Sequence, residues 1–299
     1  MGFLDNFLGS KKPAPAPDPE FQPLLDAIVD TLGPAITSAR HYEQTIIPAL
    51  TLATRYFDGQ VMEIPGPMTT RSASYDKEPF LRAVFPTVSE IGVALGRSIE
   101  VKEMVPRLAQ AGHRRAFALM GMRCQERDQT VGQPAVLSDH TLTCVSASEA
   151  ESRSAIRHAA CLRVIKSYNA HLDKLRQKGK LLPEEWNIEN TGQLQDGNAE
   201  KRHLIFDDYL YAEKELQPDN LLRGLVAWFE RPFDQFRVVE SGLLVSSGRN
   251  DGQGSVQYHL PLGVTADRRR WLLALIEFSC SEGLQALGQE TRVHRYLLL

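Results

Sequence analysis

Cysteine is scarce in this chain, and with it goes any disulfide framework. Four cysteines, Cys124, Cys144, Cys161 and Cys280, are spread over 299 residues. A chain of this length buries roughly 75% of its unfolded surface and folds without a covalent or metal staple. Three of the four sit in apolar stretches, ALMGMRC, TLTCVS and AACLRVI. The expectation is reduced, buried thiols in a cytoplasmic protein. Long apolar runs are missing too. LVAWF at 225–229 and WLLALI at 271–276 are core-sized, far below the ~20 residues that cross a bilayer as a helix. Charge of one sign is also lacking: 34 basic against 37 acidic residues gives a net −3. The sequence pI is about 6.3, whereas nucleic-acid-binding domains tend to a basic patch or a pI above ~9. No nucleic-acid partner is expected.

Motifs for chemistry are equally thin. There is no G-x-S-x-G elbow and no cysteine-protease signature. GRNDGQG (248–254) carries glycines without the Lys-Ser/Thr of a phosphate loop or the spacing of a dinucleotide fingerprint; it reads as a hairpin turn. For a metal, the candidates are His140, Cys144, His158 and Cys161, with Cys124 on the neighbouring strand. Zinc takes four nitrogen or thiolate ligands in a tetrahedron. His140 and Cys144 are expected on one side of a strand, but Leu142 stands between them, so core cysteines are the preferred reading. No metal and no cofactor are expected. His203, Asp207 and Asp208 share a helical stretch and read as a solvated face. Arg268–Arg270 read as the start of a helix.

What the chain does have lies at its beginning. MGFLDNFLG places Phe3 and Phe7, and Leu4 and Leu8, four residues apart, so all four share one face of a helix. The lysines follow the apolar residues and Asp5 interrupts them, the wrong order for a signal peptide. Asn6 breaks the myristoylation pattern. So short a helix does not persist alone in water; it needs a surface to form on. PAPAPDP (13–19) follows, an extended spacer of roughly 20 Å at ~3.1 Å per residue. A sticky tip on a stiff spacer suits a peptide that docks away from its own body. The acceptor is expected to be a protein, with peripheral membrane contact the weaker target.

The body reads as α+β, a helical N-terminal region followed by antiparallel sheet-plus-helix units. Residues 1–19 form the tip and spacer, 20–111 a helical region, 112–185 a strand-strand-helix unit, and 186–299 a second α+β unit. Pro34 and Pro48 are expected to start new helix pieces, and Gly59 to cap one. Residues 60–78 read as a long loop, and Ser98 as the cap of a helix. Residues 114–125 and 140–146 read as antiparallel neighbours. Ser148 and Glu151 form a capping box opening a helix that Gly179 ends. Residues 236–247 and 255–262 read as a hairpin, 266–288 as one helix and 291–299 as a closing strand. The repeated strand-helix order raises a duplication as one alternative.

Function follows from the tip. The reading is a non-enzymatic cytoplasmic interaction protein, an adaptor or assembly factor, docking through Phe3, Leu4, Phe7 and Leu8. Two alternatives stand beside it: an enzyme with a dispersed active site, and a structural subunit of a larger assembly, including a homo-oligomer.

Overall fold

The computed structural model describes residues 19–124, 137–191, 199–241, 244–246 and 257–289. Its centre is set by two strands whose side chains are apolar on both faces, β2 (Arg115–Cys124, RAFALMGMRC) and β8 (Arg270–Ser279, RWLLALIEFS). A strand buried on both sides reads as a continuous apolar run and not as an alternation. That is why the expected helix over 266–288 is instead β8 followed by α9 (Cys280–Gln289). The two strands pair antiparallel, with Leu119 opposite Leu275 and Met120 opposite Ala274. β3 (Leu137–Ser146) flanks β2, giving the order β3-β2-β8-β7-β4 with β7 (Leu262–Thr265) and β4 (Phe236–Val239). These neighbours are all antiparallel. β1 (Met68–Thr70) joins β8 in parallel, Met68 opposite Ile276. It occupies the part of that edge that β7 leaves free. β5 (Leu244–Ser246) and β6 (Gln257–His259) pair antiparallel, so the expected hairpin is present as two successive ladders.

Both faces of the sheet are covered by helices. On one lie α1 (Gln22–Leu32), α2 (Tyr42–Met62), α6 (Glu149–Thr191) and α8 (Pro218–Phe229). Their core includes Ile28, Leu50, Phe57, Val164 and Phe229 against Leu119, Trp271 and Leu275. On the other lie α3 (Pro79–Val84), α4 (Val88–Arg97), α5 (Ile99–Gln110) and α9, whose core includes Leu81, Ile91 and Val101 against Met120, Ala274 and Phe278. The fold is therefore α+β, with N-terminal helices preceding an antiparallel sheet. β8, from the second of the expected strand-helix units, is hydrogen-bonded to β2 of the first, so both contribute to one sheet. No helix among the described residues is long and apolar enough to cross a membrane.

Several local readings hold. Ser98 Oγ accepts the Val101 N–H at the start of α5. Ser148 Oγ accepts the Glu151 N–H, while the Glu151 carboxylate reaches back to the N–H of Ala147. Three expected breaks do not occur. α2 runs through Pro48 and Gly59 to Met62. Its buried stripe of Ile46, Ala49, Leu50, Ala53 and Phe57 keeps both sides of the proline on one core, and this outweighs the missing hydrogen bond. α6 likewise continues through Gly179 to Thr191, with α7 (Ala199–Glu215) packed alongside. The segment 60–78 holds β1 and a short 3-10 turn, Ser72–Ser74. The strand expected over 291–299 lies outside the described residues.

Candidate functional site

α2 has an outward face as well as a buried one. Ile47, Thr51, Leu52, Arg55 and Tyr56 follow one another on it at helical spacing, beside Pro48. After α8 the chain turns sharply through Pro232–Asp234, whose Pro232 is buried and whose Phe233 projects outward. The two elements bound an open apolar groove of about 720 Å³, with Glu230 at its edge. Leu52 is 51% exposed and Phe233 47%. Behind the groove, β4 is fastened to α2 by two bonds. Tyr56 Oη donates to the Phe236 carbonyl at 3.4 Å, and Gln60 Oε1 accepts the Val238 N–H at 2.6 Å. Burial raises the Tyr56 pKa against the opposing pull of Arg237, so the phenol stays protonated as a donor. The Arg231 guanidinium sits 6.0 Å from the centre of the Phe233 ring and steadies it. The result is a preformed apolar trough with a cation, Arg55, and an anion, Glu230, on its rim. Chemically it is suited to an amphipathic segment.

Other clefts have more polar linings. One between α1 and the start of α2, about 460 Å³, includes Asp26, Tyr42 and Glu43. Another between α4 and α9, about 500 Å³, includes Ser72, Ser89 and Glu282. In it the Glu282 carboxylate accepts the Ser72 N–H at 2.8 Å.

The metal candidates are drawn apart by the strand they share. β3 takes up an extra residue twice against β2, and each irregularity contains a left-handed residue, Asp139 at φ 52° and Cys144 at φ 57°. A bulge of this kind breaks the alternation of faces. Leu142 therefore belongs to the second core and Cys144 to the first, and the expectation that His140 and Cys144 share a side fails at the bulge. His140 is stacked on Phe85 at 4.5 Å, and its Nε2 donates to the Val84 carbonyl at 3.0 Å. Cys161 is buried against α2, its sulfur 3.9 Å from Thr54 Oγ1. Burial pushes the Cys144 thiol up to about 12 and the Cys161 thiol up to about 11. His158, half-buried beside Arg157, has its pKa lowered by burial first and by that cation second. Among the described residues, no group of three or more His, Cys, Asp or Glu side chains is arranged to hold a metal ion.

His140 makes a pH dependence readable. Burial lowers its pKa, outweighing the Val84 bond and the nearby Glu90 and Asp139. Below the unfolded histidine value of ~6.5, the unfolded ring takes up a proton that the folded ring refuses, so stability is lost as pH falls. Urea unfolding should show a lower free energy at pH 5 than at pH 7.5. His140→Leu should narrow that difference without abolishing it, since His158 is shifted in the same direction. An unchanged difference in the variant would remove His140 from the account.

The remaining sequence candidates are placed as follows. Arg268–Arg270 occupy the β7–β8 turn and the first residue of β8, not a helix start. The turn is held by Asp267, which accepts from Thr265 and pairs with Arg163 at 3.1 Å and Arg269 at 3.0 Å. Burial acts to raise the Asp267 pKa, but these partners outweigh it and hold the carboxyl below its ordinary value. Asp207 is exposed on α7 with Phe206 and Leu210, while the side chains of His203 and Asp208 lie outside the described set. Phe3, Leu4, Phe7 and Leu8 also lie outside the described residues. Sequence reasoning missed the groove itself. Its one local signal was Leu52 and Arg55 on the side of α2 opposite Ala53 and Phe57.

Compared with protein-family models, with curated proteins and with solved structures, the chain matches none.

Proposed function

We propose that this chain is a non-enzymatic interaction protein, an adaptor or assembly factor, which docks on a protein partner through its N-terminal apolar peptide. The observation that carries this reading is the pairing of Phe3 with Phe7 and Leu4 with Leu8 on one helical face, set ahead of PAPAPDP. Such a peptide gains free energy only by covering its apolar face, at roughly 1.5–3 kcal/mol for each large side chain fully buried. Alternating proline favours an extended spacer between this peptide and the body. The thiols support the same reading. Cys144, Cys161 and Cys280 are unpaired and buried, and their pKa values are raised, so they are held as inert thiols and not as nucleophiles. Unpaired buried cysteines also suit the reducing cytoplasm.

The test compares the full chain with residues 20–299 and with a full-length variant carrying Phe7→Ser and Leu8→Ser. All three should unfold cooperatively, with melting temperatures within a few degrees of one another. A partner cross-linked to the full chain and identified by mass spectrometry should be lost from the truncation, and reduced at least tenfold for the double variant. An identical partner set for all three proteins would refute the proposal.

A further inference from the structure

We infer that the groove between α2 and the Pro232–Asp234 turn is the resting seat of the chain's own residues 3–8, which a partner must draw out before the tip can dock elsewhere. The inference rests on the reading of the tip as a docking peptide and adds a regulatory step to it. Three observations select this occupant.

The first is kind. The tip is a short amphipathic segment that needs an apolar surface to become helical. The groove offers that surface on α2, with half-exposed Leu52 and Phe233 as its anchors. Laying an apolar helix face into such a groove is a general recognition mode.

The second is reach. The Glu20 carboxylate pairs with Arg157 at 3.0 Å, and Arg157 also pairs with Asp58 of α2 at 3.3 Å. The chain therefore joins the body beside the helix that bears the groove. At ~1.5 Å per residue, Asp58 stands ~9 Å along α2 from Leu52 and ~17 Å from Ile47. A spacer of this composition spans roughly 20 Å, and Gly9, Ser10, Lys11 and Lys12 separate it from residues 3–8. A spacer running back along α2 would thus end near the far end of the groove, with four residues left in which the chain can turn to bring residues 3–8 into it.

The third is sign. The tip carries Asp5, and Lys11 and Lys12 follow it. The groove's rim carries Arg55 and Glu230.

Tethering makes even a weak contact count. A short linker gives an effective concentration on the order of 1 mM. An intrinsic Kd of ~100 µM would then keep about 90% of molecules closed, and the apparent affinity for an outside partner would fall about tenfold.

The experiment uses residues 20–299 and a synthetic peptide of residues 1–12 carrying a C-terminal fluorophore. Anisotropy should show saturable binding in the range of tens to hundreds of micromolar. Leu52→Asp and Phe233→Asp, both surface positions, should each weaken it at least tenfold while leaving the melting temperature unchanged. The full chain should bind the peptide about tenfold more weakly than the truncation, and Phe7→Ser with Leu8→Ser in the full chain should restore binding. Sedimentation of the full chain should give a monomer from 1 to 100 µM. Absence of peptide binding to residues 20–299, or binding indifferent to both groove variants, overturns the inference. A concentration-dependent oligomer dissolved by Leu52→Asp overturns it too, because the tip then sits in a neighbour's groove. If the peptide fails to bind but deletion of residues 1–19 still abolishes partner capture, the seat is lost and the docking proposal stands. If the peptide binds but the deletion leaves every partner in place, the docking proposal is the one that fails.

Discussion

Arg153→Met is expected to destabilise the protein by about 3 kcal/mol, with Arg153→Lys recovering less than half of the loss. Arg153 lies on α6 with its side chain 16% exposed. Its guanidinium donates to three carbonyls in the segment leaving α2: Val61 at 2.8 Å, Ile64 at 3.3 Å and Gly66 at 3.3 Å. Nε is spent on Glu149 at 2.8 Å, which fixes the fork in place. Hydrogen bonds to a charged group contribute about 1.5–3 kcal/mol each, and a buried acceptor left without a donor costs about 1–3. Lysine keeps the charge but lacks the planar fork that serves several acceptors at once. The segment so held is the one that lays β1 along β8. Urea unfolding followed by circular dichroism checks the ranking wild type, then Lys, then Met. A methionine variant within 0.5 kcal/mol of wild type would show that the clamp contributes little.

That clamp marks where sequence reasoning runs out. The helical stripe of Ile156, Ala160, Val164 and Tyr168 on α6 was readable because it repeats at the helical period. Nothing in the local sequence says that Arg153 between its turns answers carbonyls some ninety positions earlier. The same division holds elsewhere. Ser98 and Ser148 were readable as caps because capping is decided within four residues. β2 and β3 were readable as antiparallel neighbours, but the bulges at Asp139 and Cys144 were not, and they alone decide which core each side chain enters. WLLALIEF was misread because an apolar run carries no period once both sides are buried. Pro48 was misread because the core beneath α2 outweighs the rule that proline breaks helices. The groove was the least legible feature, since its two walls, Leu52 and Phe233, are 181 positions apart. What sequence did offer was the tip, a pattern complete within eight residues.

Two glycines that the sequence treats alike should respond in opposite directions to alanine. Both sit in stretches that read as helix end or loop. Gly66 lies at φ 125°, a region L-residues rarely adopt, and a Cβ there would overlap the carbonyl oxygen of Leu275. That oxygen cannot withdraw easily. Leu275 is in the middle of β8, paired with Leu119 on one side, and its N–H donates to the Pro65 carbonyl at 2.8 Å on the other. Gly66→Ala therefore combines backbone strain on the order of 1–3 kcal/mol with an overpacking penalty of about 1–3 kcal/mol. The expected loss is about 3–5 kcal/mol, with β1 released from the edge of β8. Gly59, by contrast, lies inside α2, exposed, with nothing within 4 Å of its would-be Cβ. There alanine restricts the unfolded chain and favours the helix, so Gly59→Ala should stabilise by about 0.5–1 kcal/mol. Hydrogen exchange at the amides of 68–70, together with urea midpoints for both variants, separates the two effects. If Gly66→Ala is tolerated while β1 stays protected, the packing of this segment against Leu275 is not as close as described. If Gly59→Ala destabilises, α2 ends before residue 59 and not at Met62.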